Sequence, residues 1–470
     1  MGQKAKLQLD TSVKYVHTIF SQGDNVNEVR NLSVIFVCFL FIISSLIIPV
    51  EATEPDDYPN GWTHRPIMEQ FTSLGCPPCM SIEPDVAKLW KEFREDPAQP
   101  ATFISFHQTN GAYHDDEFVS QEAKDRYEFY AVQGTPDAQF DGGYIEELGG
   151  GDGTYDTYKD HYFESGERDV KPTELRVWQE FREDRFIFTV NLTYLGEGGI
   201  SPPWDPDVLD ASVYLFVVED DIMAWSSEEG KEVMSHNVFR ETALHNLEVE
   251  LQPAETWTQE VEWIIPDTII YPSGHEDRDG NPQEGEHPIP TPINPAKVSV
   301  VAVVYDNDDT SRTTTAGKTG NSADTPRAAN SATPQSTAYD EENEPPKVVS
   351  YDEKLSGNIA EINAVLEDED GIGSAYVIYN FENGSYDDEA WGVMPMEISE
   401  NNIATASIEF AKGDPVWYRI LLVDGKHGFA ASEAKQFEGT GGGKVTEDSP
   451  GFGFLAVTMA LLIGLIRRKY

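Results

Sequence analysis

Residues 69–79 read Glu69-Gln70-Phe71-Thr72-Ser73-Leu74-Gly75-Cys76-Pro77-Pro78-Cys79. The stretch opens as a short strand and closes on two cysteines separated by two prolines. Beyond it, Ile82, Val86, Leu89, Trp90 and Phe93 recur on one helical face, which predicts a helix over residues 81–96. A thiolate attacks a disulfide through a mixed-disulfide intermediate. A redox site therefore needs one accessible, low-pKa cysteine and a second to resolve the intermediate. Where a strand hands over to a helix, the first cysteine sits at the helix N-terminus, and free N–H groups and the dipole favour its thiolate. Pro77 and Pro78 are tolerated there because first-turn N–H groups have no helical partner to lose. Cys76 reads as the nucleophile and Cys79 as the resolving thiol.

Working outward, strands are expected over 65–72 and 101–106 and a helix over 117–130. A hairpin over 136–140 and 144–148 turns at Asp141-Gly142-Gly143, and a closing helix follows over 154–163. On these residues the chain resembles the thioredoxin-like superfamily. Phe71 stands five before the first cysteine and Pro84 five after the second. Gly134-Thr135-Pro136 is similar to the loop that holds the family's cis-proline, and Phe140-Asp141-Gly142-Gly143 to the hairpin turn after it. The resemblance covers residues 63–165. It implies an α/β thioredoxin-like domain in which Thr135 and Pro136 bind the substrate backbone and Pro77, Pro78 and Pro84 support the helix and the dithiol. Glu69-Gln70-Phe71-Thr72 and Ile104-Ser105-Phe106-His107 also resemble bacterial outer-membrane-associated proteins with such a domain followed by a β-sandwich. The chain departs from the family at Gly75, where many thioredoxins have tryptophan. It departs again at Gln70, where many carry a buried acid, and Glu69 should face the other way. Proton transfer to Cys79 then runs through water. Extra length before Pro136 carries His107, Tyr113, His114, Asp115 and Asp116, a candidate loop near the site.

The chain has 470 residues, of which 33 are basic and 83 acidic, for a net charge of −50. That balance excludes nucleic acid as a partner and fits a solvated exterior. Cys38 is the only cysteine besides the pair. A disulfide-stapled secreted scaffold would show more cysteines at wider spacing. Residues 33–50, SVIFVCFLFIISSLIIPV, are uncharged and precede Glu51-Ala52, so residues 1–52 read as a signal peptide or a signal anchor. The C-terminus runs Pro450-Gly451-Phe452, an apolar segment, then Arg467-Arg468-Lys469. It resembles the PGF-CTERM tail of archaeal surface proteins, which implies an archaeosortase-like processing enzyme. Both ends place the rest of the chain outside the membrane.

Between them, alternation at Phe186, Phe188, Val190, Leu192 and Tyr194 and apolar runs over 213–218 and 298–305 predict a β-sandwich over 172–306. Residues 307–344 read as a disordered linker. Residues 345–437 read as an immunoglobulin- or fibronectin-like domain, and 438–470 as spacer and sorting tail.

Other readings of the pair stay open: an inert staple, or zinc held with His107 and His114. A redox-inactive adhesion or binding protein is the main alternative function. Acidic runs at Glu276, Asp306 and Glu367 lack EF-hand spacing and read as solvated turns. Asn191 and Asn383 head glycosylation sequons, and His236 and Arg240 read as structural. The favoured reading is a membrane-anchored extracytoplasmic thiol–disulfide oxidoreductase with no cofactor and no metal. Its partners would be cysteine-containing exported proteins and a membrane redox partner.

Overall fold

The structure, a computed structural model, describes residues 61–438 apart from 110–115, 183, 197–207, 278, 311–324, 382–390, 411–414 and 427. The expected leader, the C-terminal tail from 439, Tyr113, His114, Asp115 and the Asn383 sequon lie outside the described residues.

The chain enters through β1 (Ile67–Thr72), α1 (Pro77–Glu95) and β2 (Thr102–His107), with β1 and β2 parallel. Next come α2 (Gln121–Phe129), β3 (Asp137–Phe140), β4 (Ile145–Leu148) and α3 (Thr154–Gly166). The helix α2 begins later than the expected 117 because Ser120 caps it, its hydroxyl accepting from Ala123 N at 3.0 Å. The β3–β4 turn uses left-handed backbone at Asp141, Gly142 and Gly143. A Cβ on Gly142 would lie 2.4 Å from Pro326 O, so only glycine fits there.

The chain continues through β5 (Thr173–Arg182), β6 (Arg185–Tyr194), β7 (Leu209–Glu219), β8 (Ile222–Ser226), β9 (Lys231–Ser235), β10 (Val238–Leu251), β11 (Thr256–Ile264), β12 (Thr268–Tyr271), β13 (Gly285–Pro288), β14 (Val298–Asp306), β15 (Arg327–Ala332) and α4 (Pro334–Asp340). Its last part holds β16 (Lys347–Ser356), β17 (Ile359–Glu367), β18 (Ile372–Asn380), β19 (Gly392–Pro395), β20 (Glu397–Ile398), β21 (Ile403–Glu409), β22 (Pro415–Asp424), β23 (Phe429–Ala431) and β24 (Lys435–Glu438).

The expected fold class, an α/β thioredoxin-like domain followed by separate sandwich and immunoglobulin-like domains, is overturned. The described chain is mostly strand, and β1–β4 have no sheet of their own. They form half of an eight-stranded mixed sheet in the order β15-β14-β7-β10-β2-β1-β3-β4. The junction is parallel and brief, Val238 opposite Ser105, and Asn237 ties it by donating to Phe103 O at 2.6 Å. The physical reason is burial on both faces. Residues of β7 and β14 such as Val217, Val218, Val300 and Val301 are all inaccessible, which makes them central strands rather than sandwich faces.

The stretch expected as a linker is corrected as well. Its second half forms β15 and α4, and Ser331 N and Ala328 N donate to Arg65 O and Asp141 O at 3.1 and 3.2 Å. The last β unit shares a core with the middle one: Tyr376, Ile378, Leu421 and Val423 pack among residues of β5, β6, β7 and β14.

Strand alternation sets the two faces of the site. Met68 and Phe103 pack under Ile82, Val86 and Trp90 of α1. Ile67, Phe71, Ile104 and Phe106 pack on the opposite side with Tyr130, Phe216 and Phe239. Glu69 faces that second side, as its position requires, and pairs with Arg126 of α2.

Candidate functional site

Cys76 and Cys79 are joined as a disulfide, with Cα atoms 5.2 Å apart. Cys76 is the N-cap of α1, and its Sγ accepts from Cys79 N at 3.4 Å. Pro77 and Pro78 fill the first turn, where no donor is lost, and Pro84 lies inside the helix. The Thr135–Pro136 peptide bond is cis. Thr135 meets the pair directly: its hydroxyl donates to Cys76 Sγ at 3.5 Å and its carbonyl oxygen lies 3.6 Å from the same sulfur. Residues read from the sequence as site residues thus come together from two distant segments. Of the ligands in the zinc reading, His114 lies outside the described residues, and in this disulfide form neither sulfur is a thiolate.

One expectation fails. The nucleophile was expected to be accessible, yet Cys76 is 1% exposed and Cys79 is inaccessible. Leu74, Met80 and Phe118 close over them together with Ile222, Ala224 and Val238 from the β8–β9 hairpin and the strand after it. The hydroxyl of Ser226 at the end of β8 donates to Leu74 O at 2.5 Å, pinning the hairpin to the segment before Cys76. The cover comes from far along the chain and has no local signature.

The sequence flagged Gln70, His107 and Asp116 near the pair but missed Glu83 and Asp137. Gln70, in the position of the missing acid, is buried and faces α1. His107 ends β2 opposite Thr72, and its Nδ1 lies 2.8 Å from Asp116 Oδ2. Asp116 is inaccessible and also accepts from Leu74 N and Phe118 N. Glu83 lies on α1 one turn after Cys79, a spacing visible in the sequence. Burial pushes its carboxyl up, against the opposing pull of His236 and His107. Asp137, beside Pro136, is pushed up to about 8, first by burial and further by Glu146 and Glu147. It pairs with Phe71 across the strands and so faces away from α1.

The neck of the hairpin carries charge. Asp220 and Asp221 precede β8 and His236 follows β9, with ligand atoms all within 4.8 Å of one another. Arg94 of α1 donates to Asp220 and Asp221 at 2.6 and 2.9 Å, and so supplies the cation. His236, though burial opposes it, is raised to about 9 by hydrogen bonds and charge from the two aspartates. Asp220, also opposed by burial, is lowered to about 2 by His236 and Arg94. A raised histidine contributes stability that is complete below its unfolded value near 6.5 and is lost as pH rises through 9. A lowered aspartate contributes above its unfolded value near 3.8 and loses it as pH falls through 2. Thermal melts should therefore show Tm declining from pH 6.5 to 9, with a shallower decline in His236→Gln. Parallel curves would remove His236 from the neck.

The remaining acidic runs are tied internally. Lys171 binds Asp306 and Asp308, Arg168 binds Asp309, and Lys426 binds Asp370. Arg240, read as structural, donates to Thr291 O at 2.8 Å and lies 3.5 Å from Glu219.

No family model matches the sequence, and no curated protein matches it. Among solved structures, the chain is similar to HBP35 of Porphyromonas gingivalis, at 10% identity and a TM-score of 0.40, over 80% of this chain and 98% of that one. The PKD1 domain of Vibrio anguillarum Epp matches at 16% identity and a TM-score of 0.15, over 21% of this chain and 96% of that one. The chicken CNTN1 FN1–FN3 domains match at 8% and 0.18, over 57% and 66%. At those scores none of the three carries an argument about function. No described helix is long and apolar enough to cross a membrane.

Proposed function

We propose that the protein is an extracytoplasmic thiol–disulfide oxidoreductase acting on cysteines of exported proteins. The observation that supports it is the setting of Cys76: at the N-terminus of α1, with Cys79 N–H and the Thr135 hydroxyl both aimed at its sulfur. In the reduced protein those donors favour the thiolate over the thiol. Cys76 attacks a substrate disulfide, a mixed disulfide forms, and Cys79 displaces the substrate to restore the internal bond. A membrane redox partner then resets the pair. The apolar leader and the Pro-Gly-Phe tail support a position outside the membrane, anchored to it.

Full burial of both sulfurs favours a second reading, a surface binding protein with an inert internal disulfide. The reduction potential of the pair in the full-length protein separates the two. A value between about −120 and −270 mV is expected, the range of known exchange catalysts, whereas one below about −300 mV marks a structural bond and sinks the first reading. Cys79→Ser should accumulate mixed disulfides with exported proteins, and Cys76→Ser should accumulate none. An empty Cys79→Ser trap leaves the binding protein.

A further inference from the structure

On and beside the strands that lead to the disulfide, four buried side chains carry polar atoms with no hydrogen-bond partner among the described residues. They are both amide atoms of Gln70, the hydroxyls of Thr72 and Ser73, and Nε2 of His107. None is more than 2% exposed. A single buried polar atom left unpaired costs about 1–3 kcal/mol, so native proteins rarely keep one without a reason. Here they cluster. Gln70 and Thr72 alternate onto the face of β1 that α1 covers, His107 lies opposite Thr72 in the sheet register, and Ser73 follows directly. Sites of this kind hold ordered water that joins otherwise unpaired groups.

We propose that this polar path carries the proton that Cys79 takes up when the disulfide is opened, with His107 as its donor and Asp116 as the residue that positions His107. The inference rests on the exchange chemistry proposed above. Asp116 is fixed by three contacts, to His107 Nδ1, Leu74 N and Phe118 N. A carboxylate held there orients the imidazole with Nδ1–H towards it and leaves Nε2 to exchange the mobile proton. The Phe118 ring stands edge-on to His107, with centroids 5.2 Å apart, and belongs to the same cluster as Cys76, Cys79 and Leu74. Phe118 thus links His107 to the cluster that holds both sulfurs. Glu83 on α1 senses the charge of His107 and also that of His236 at the hairpin neck, and burial holds the Glu83 carboxyl high.

The step balances. An incoming thiolate attacks Cys76 Sγ, the Cys76–Cys79 bond breaks, and a mixed disulfide forms on Cys76. The electron pair leaves on Cys79 Sγ. The proton on Nε2 passes through water to that sulfur, giving a thiol at Cys79 and a neutral imidazole. In the reverse direction neutral Nε2 takes the proton from Cys79, whose thiolate then resolves the mixed disulfide.

The test is reduction of the disulfide by dithiothreitol in the full-length protein, with rates expressed per thiolate from acid to alkaline pH. The ratio of unaltered to variant rate cancels any opening of the cover. His107→Gln should slow reduction by about a hundredfold at acid pH, the scale of general-acid assistance, and leave it unchanged at alkaline pH. Asp116→Asn should slow it in the same pH-dependent way. A ratio that is flat across pH overturns the proposal, because a merely structural histidine has no reason to act only when protonated. If His107→Gln fails to fold, the imidazole nitrogen shifts of the unaltered protein decide. The neutral imidazole should carry its proton on Nδ1 in both redox states, and the opposite tautomer overturns the assignment. Dithiothreitol reports this step whatever the natural substrate. A pH-dependent ratio with an empty Cys79→Ser trap therefore removes only the oxidoreductase reading, and a flat ratio with a filled trap removes only the role of His107.

Discussion

Arg126→Ala is expected to destabilise the protein by about 3–5 kcal/mol, measured by urea denaturation, the scale for removing one partner of a buried ion pair. Glu69 is inaccessible and Arg126 is 7% exposed. Arg126 Nε and Nη2 donate to the two Glu69 oxygens at 2.6 and 2.8 Å. Nη2 also lies 2.9 Å from the Tyr130 hydroxyl and 2.6 Å from that of Tyr305, and both hydroxyls donate to Glu69. The guanidinium carbon sits 4.6 to 5.3 Å from the ring centres of Phe129, Tyr130, Tyr214, Phe216 and Tyr305. Truncation leaves a carboxylate in a dry aromatic enclosure with only two hydroxyls for it. Replacing both members, Arg126→Met with Glu69→Leu, should recover most of the loss, because the penalty is the stranded charge and not the missing attraction. A single variant costing less than about 1 kcal/mol, the range of exposed pairs, would show that water reaches the network. The network joins β1, α2 and β14, so its loss also loosens the strand that leads into Cys76.

What the sequence disclosed about this site is what local chemistry dictates. Helical spacing from Ile82 to Phe93 and prolines in the first turn mark α1. The Asp141-Gly142 turn marks the β3–β4 hairpin. Glu69 and Gln70 fall on opposite faces because strands alternate. Partners far along the chain were not disclosed. A run such as Val213 to Val218 marks a strand but not the sheet it joins, and here it joins the one begun by β1 and β2. Residues 325–340 are small and polar, a composition that reads as disorder. They are ordered because the edge they fill is crowded: inaccessible Arg327 donates to Gly142 O beside a glycine that tolerates no side chain. His107 could be seen at a strand end. Asp116 was in view as well, but their pairing was not, because spacing alone does not bring two side chains together.

Ile222→Ala is expected to speed reduction of the disulfide by dithiothreitol roughly 30- to 1,000-fold at constant pH. Ile222 is 3% exposed, starts β8 and packs against the cluster that holds both cysteines. A reductant can reach Cys76 only when the β8–β9 hairpin lifts, so the rate follows the population of the lifted form. Truncating a buried isoleucine costs about 2–4 kcal/mol. The lost contacts exist only in the closed form, so the loss falls on the closed state, and each 1.4 kcal/mol is tenfold in that population. The hairpin is a separable unit: β8 and β9 pair only with each other, not with the eight-stranded sheet. It is held at its neck by Arg94 and at its tip side by Ser226. Global stability should fall by the same amount, because the unfolded chain lacks those contacts too, while the central sheet stays folded in the lifted form. Under the proposed exchange function, a substrate protein able to displace the hairpin would gain the same acceleration from its own binding. An unchanged rate in Ile222→Ala would mean that the sulfurs are reached by another route while the hairpin stays seated.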